Sequence, residues 1–123
     1  METKKINLLK YRGNDSSLFT GRPQGEAART ELKIDANDKT GGKIIFLVPK
    51  GTSSINPSFY LGLLYDSIKY FGINKYEEYY SFEIEDTNEV TKGVLIENLQ
   101  DGKRNALNTI TGNSGLSRFL KKK

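Results

Sequence analysis

Residues 44–49 read Ile44-Ile45-Phe46-Leu47-Val48-Pro49, five apolar side chains closed by a proline, and after Lys50-Gly51-Thr52-Ser53-Ser54-Ile55 the chain continues Asn56-Pro57-Ser58-Phe59. A five-residue apolar run bounded by Gly42 and Pro49 is too short for a helix of its own. Its β-branched and aromatic members predict a strand, and the unbroken apolar run predicts a central one buried on both faces. Pro49 to Ser54 then reads as a loop. Asn56 is a capping residue and Pro57 suits the first helical turn. Phe59, Leu63, Leu64, Ile68 and Phe71 recur at helical spacing, and Gly72 stands where a left-handed C-cap belongs.

Working outward, the flanks supply further elements of both kinds. Ile6 and Leu8 alternate with polar residues and predict a short strand within residues 1–12. Gly13 to Ser17 is turn chemistry. Pro23 opens a helix to about Lys33 that buries Ala28 and Leu32; Gly25 weakens it, and a strand beginning at Leu32 and Ile34 is the alternative. Asn37 to Gly42 reads as a break. Phe82 and Ile84 alternate with Ser81, Glu83 and Glu85, predicting a half-buried strand with its carboxylates in solvent. Asp86 and Glu89 have capping-box spacing. Val90, Val94, Leu95 and Leu99 then predict a last helix, weakened by Gly93 and Gly102; a strand over Val94 to Ile96 competes with it. The order strand, helix, strand, helix, strand, helix predicts a single α/β domain over residues 1–110, a small sheet with helices packed against it, followed by a loose basic tail at 111–123. Parallel pairing would make the crossovers right-handed.

Composition narrows the chemistry. The chain has 123 residues with no Cys and no His. Thiol catalysis, disulfides, zinc–thiolate sites and imidazole acid–base chemistry are thereby excluded, and neither a metal nor a cofactor is expected. The net charge is +4, and Arg118, Lys121, Lys122 and Lys123 account for all of it, leaving 15 basic side chains against 15 acidic ones. A neutral body does not suit a groove that tracks phosphates, so nucleic acid is not the expected partner. No apolar run approaches the roughly 20 residues of a membrane span, and Met1-Glu2-Thr3-Lys4-Lys5 leads into no signal-type core. The reading is a cytoplasmic protein.

Three segments carry candidate site residues. Thr20 to Arg29 places Arg22, Gly25, Glu26 and Arg29 at a helix start, where free amides hold anions, or where arginines simply face solvent. Gly51 to Ser58 sets hydroxyls between a buried strand and a helix start, the edge at which open α/β sheets meet ligands. Added negative charge at Ser58 would be stabilised there by the helix dipole, unless these hydroxyls only satisfy backbone amides. Glu83, Glu85 and Asp86 read as solvent-facing and capping carboxylates rather than an acid–base pair. The tyrosines Tyr60, Tyr65, Tyr70, Tyr76, Tyr79 and Tyr80 are not interleaved with cations. They suit a core edge or a protein interface better than base stacking.

Gly25-Glu26 with Arg29, the apolar strand, Gly51-Thr52, and Ser58-Phe59 opening a helix with Gly62-Leu63-Leu64 resemble, in that order and spacing, the STAS-like domain family of unknown function, related to anti-sigma factor antagonists. The likeness covers roughly Tyr11 to Leu107. It implies a small sheet with packed helices and signalling by protein contact, often with a GHKL-type ATPase or kinase, without chemistry of its own. It also implies binding roles for Arg22, Gly25, Glu26, Arg29, Gly51, Thr52, Ser58 and Phe59, and makes Ser58 the counterpart of the phosphorylated switch serine. The chain has Pro49-Lys50 where the family has an acidic pair, and Asn56-Pro57 where antagonists carry an Asp. The expected function is a non-enzymatic regulatory or interaction module. The alternative is a small-ligand or nucleotide-sequestering protein, of the kind a phage or mobile element carries, using Gly21 to Arg29 and Gly51 to Ser58 as an anion cradle.

Overall fold

The apolar run is the middle strand of a parallel sheet. A computed structural model describes residues 3–12 and 16–122, with side chains through 111. The chain runs β1 (Thr3–Asn7), α1 (Leu9–Arg12), β2 (Leu18–Phe19), α2 (Arg22–Glu31), α3 (Ile34–Thr40), β3 (Lys43–Val48), β4 (Ser54–Ile55), α4 (Pro57–Phe71), α5 (Ile73–Tyr79), β5 (Tyr80–Ile84) and α6 (Glu89–Lys122). The main sheet has the order β1-β3-β5, all parallel, with Ile6, Phe46 and Phe82 in one row. A second, minimal sheet pairs β2 with β4. The protein is thus an α/β domain of helices on a small parallel sheet, as the order of elements predicts.

The sheet steps in one direction only, and crossovers of one hand then place their helices on one face. Ile44, Phe46 and Val48 point to that face and are buried in the core. Ile45 and Leu47 point the other way, stay half-exposed and lie outside the core cluster. The expectation of a strand buried on both faces is corrected accordingly: one face of the sheet is open. Lys5 on β1 and Glu83 on β5 reach towards each other over it, 3.6 Å apart.

Glycines set the helix packing. A Cβ on Gly25 would lie 2.8 Å from Leu63 N and 3.0 Å from the Cα of Gly62; one on Gly62 would lie 2.8 Å from Glu26 N. Helices α2 and α4 therefore cross backbone against backbone. Gly102 does the same for α6, since a Cβ there would meet the Tyr60 ring at 2.5–2.8 Å. Gly25 and Gly102, which weaken their helices by propensity, are among the residues that let them meet. Phe59, Leu63, Leu64 and Ile68 fill the core beneath, with Leu95 and Ala106 closing it from α6.

Other expectations are revised by particular contacts. The break expected at Asn37 to Gly42 is helical through Thr40, and the chain turns only at Gly41, with φ 74°. Residues 73–79 form α5, which the sequence did not suggest. Gly72 has a positive φ of 81°, but its ψ of 155° is extended rather than left-handed helical. That glycine-specific conformation passes the chain directly from α4 into α5. Asn88 caps α6, its Oδ1 accepting from Thr91 N at 3.0 Å, while Asp86 accepts from Asn88 N at 2.9 Å one step earlier. The backbone of 111–122, expected as a loose tail, continues α6.

Candidate functional site

The residues singled out in the sequence fall into three separate places. Arg29, buried in the last turn of α2, uses all five of its N–H donors. Nε and Nη2 donate to Asp35 at 2.9 and 2.6 Å, Nη1 to Leu63 O and Ser67 Oγ at 2.9 Å each, and Nη2 also to Asp38 at 2.9 Å. Asp38 is buried and accepts further from the hydroxyls of Ser67 and Tyr80, and Asn37 donates to the Tyr80 hydroxyl at 3.0 Å. This network ties α2, α3, α4 and β5 together and presents no free donor of Arg29 to a ligand. Arg22 is exposed, 3.5 Å from Glu26 and stacked over the Tyr65 ring at 5.4 Å. Gly25 is the helix crossing already described, and Phe59 is core.

The second place is the C-terminal edge of the sheet. Thr52 is buried, and its Oγ1 accepts from Arg12 at 2.8 Å. Gly51, with φ 91°, lets the loop turn beside that arginine. Ser58 is half-buried in the first turn of α4, its N–H donating to the Asn56 cap at 2.8 Å. Because β1, β3 and β5 follow in one direction, this edge has no point at which the strand order reverses, the feature that opens a ligand crevice in doubly wound sheets. Arg12 was not singled out in the sequence; its only signal was a cation beside turn residues.

The third place is a groove of about 530 Å³ between β5 and α6. Phe82 and Ile84 form one wall, Ile96 and Leu99 the other, and the Tyr60 and Tyr76 rings lie at its inner side. Lys103 bonds Glu77 at 2.6 Å across one end. Lys92 stands at the other, with no carboxylate within 4 Å among the described residues. Ile96 is 44% exposed, and Val90 and Val94 continue the apolar surface of α6 beyond it. Sequence reading placed Phe82, Ile84 and Leu99 on their elements. It missed the groove, whose one sequence signal is that Ile96 falls off the buried stripe of its helix.

The tyrosines at the groove are held neutral. Burial pushes Tyr60 up to about 12, partly offset by the hydrogen bond shared with Tyr76 at 2.9 Å; burial raises Tyr76 strongly, and burial with the bond to Asp38 raises Tyr80. An unfolded tyrosine ionises near 10. Their contribution to stability is therefore complete below pH 10 and is lost as the pH rises from 10 through about 12. The tyrosinate absorbance of Tyr60, Tyr76 and Tyr80 should appear together with unfolding, above about pH 11. A titration in which every tyrosine ionises near 10 while the fold persists would contradict this burial.

No family model matches the chain, and no curated protein or solved structure matches it either. No helix among the described residues is long and apolar enough to cross a membrane.

Proposed function

We propose that the protein is a non-enzymatic, STAS-like interaction module of the cytoplasm that acts by contact with a protein partner, and that its working surface is the groove between β5 and α6. The groove itself is the observation that supports this reading: a largely apolar channel beside the outer edge of β5, which no strand among the described residues pairs, on a domain whose named cations elsewhere are already engaged. A GHKL-type ATPase or kinase is the partner class suggested by the resemblance. Ser58 is the proposed modification position, in the first turn of a helix whose amide end would stabilise a phosphate. Selection of displayed random peptides on the parent protein, counter-selected on Ile96→Glu, tests the surface. Because Ile96 is 44% exposed, that variant should melt like the parent. Enriched sequences should bind the parent and lose at least about tenfold in affinity, near 1.4 kcal/mol, on Ile96→Glu. A selection that yields only sequences indifferent to Ile96 would remove the groove as the working surface.

A further inference from the structure

Resting on that reading, we infer that the groove receives its partner as one extended segment, added to β5 as a fourth strand, with apolar side chains at alternate positions and a carboxylate beside Lys92.

The backbone of β5 decides the form of the occupant. Glu85 N donates to Val48 O at 3.0 Å, and Leu8 N donates to Leu47 O on the other side of β3. Alternate residues of a strand turn their amides to opposite sides, so Ser81 and Glu83 face β3 while Phe82 and Ile84 turn N–H and C=O to the open edge. An occupant that fills the groove removes water from those groups. A helix or a compact ligand would leave them desolvated and unpaired, whereas a strand pairs them.

Length and chemistry agree with a strand. From Lys92 to Lys103 the α6 wall extends about 16 Å, and Tyr80 to Ile84 spans about 13 Å. Four or five extended residues match both. Side chains on the helix-bearing side of such a segment enter between Phe82, Ile84, Ile96 and Leu99 and must be apolar. Those on the other side join the open face beside Ser81 and Glu83, where polar or basic residues fit. The charges fix the polarity of the site: Lys103 is neutralised by Glu77 and Glu83 is drawn to Lys5, which leaves Lys92 as the unneutralised charge of the groove among the described residues. An acidic residue at the Ile84 end complements it. A second copy of this chain is the weaker occupant, because its own α6 would arrive at the same edge with its β5.

The test uses the Ile96-dependent peptides from the display selection, synthesised and measured by calorimetry on the full chain. Enriched sequences should show apolar residues at i and i+2 with an acidic residue at one end. N-methylation of the amides on the β5-facing side should weaken binding at least tenfold, and methylation of the alternate amides should leave it within twofold. Lys92→Glu, at an exposed position, should reverse the preference from the acidic peptide to its lysine counterpart. Enriched sequences with i, i+3, i+4 spacing that tolerate methylation on both sides would overturn strand addition while leaving the interaction surface standing. So would unchanged charge preference in Lys92→Glu. A concentration-dependent dimer in sedimentation that Ile96→Glu dissociates would assign the groove to a second copy instead. A selection that returns no Ile96-dependent peptide would fail the surface itself, a result distinct from the other three.

Discussion

Gly62→Ala should cost the fold about 3 kcal/mol or more, at or beyond the upper end for over-packing, a large part of the roughly 5–15 kcal/mol that holds a native domain together. The added methyl meets Arg22 O, and Glu26 N at 2.8 Å. Both are backbone atoms of α2, so no side chain can swing aside; the two helices must separate, and the core of Phe59, Leu63 and Ala28 beneath them opens. Gly25→Ala presents the same obstacle from the other side and should cost a similar amount. Gly93→Ala is the control. It adds a methyl to an exposed helical position with nothing within 4 Å, and should stabilise the protein by about 0.5–1 kcal/mol from helix propensity. Urea unfolding of the three variants reads the contrast directly. Gly62→Ala and Gly93→Ala moving the midpoint in the same direction would mean that α2 and α4 do not cross backbone to backbone.

The second large effect is expected at Arg29→Met, about 3–5 kcal/mol. Breaking one partner of a buried ion pair leaves the other charged and uncompensated, and here the survivor is Asp38, whose side chain is 5% exposed. Ser67 and Tyr80 would still donate to it, but hydroxyls carry no opposing charge. Asp38→Asn alone should also destabilise. The double variant Arg29→Met, Asp38→Asn should then recover part of the loss, with a coupling of about 0.5–3 kcal/mol. Asp35 shares the guanidinium but is 79% exposed at its side chain, so Asp35→Ala should stay within about 1 kcal/mol. Additive single-variant effects at Arg29 and Asp38 would rule out the network as a unit.

The sequence reading worked where one local rule decides the outcome. The run Ile44 to Val48 has no competing pattern, Asn56-Pro57 is a start signal in itself, and the stripe from Phe59 to Phe71 has one period. It did not work where a distant residue decides. Asn37-Asp38-Lys39-Thr40 has turn composition, yet it is helical because Arg29 holds Asp35 and Asp38 on one turn, with Lys33 in the left-handed conformation at φ 56° joining α2 to α3. Helix α5 has no clear apolar stripe; it is fixed by the Tyr76 hydroxyl reaching Tyr60 across the chain. The same limit applies to the site. Arg29 reads as an anion ligand or a solvent-facing cation until its five hydrogen bonds are known, and Gly25 reads as a weak point in its helix until Gly62 is seen against it. Which edge of the sheet stays open depends on the strand order, and no spacing within the chain reports that.

The one-directional strand order also dictates how the protein assembles. Each strand pairs with one made 36 to 40 residues later, so the two sheet-forming closures are alike in chain entropy. By the time Phe71 has been synthesised, β1–β3, β2–β4 and the glycine crossing of α2 with α4 all have their residues, and β5 has only a finished edge to join. Synthesis from the N-terminus therefore builds the domain as a growing front, each unit docking on its predecessor with no earlier strand to wait for. β5 is the front at which this growth stops among the described residues, with α6 lying alongside it.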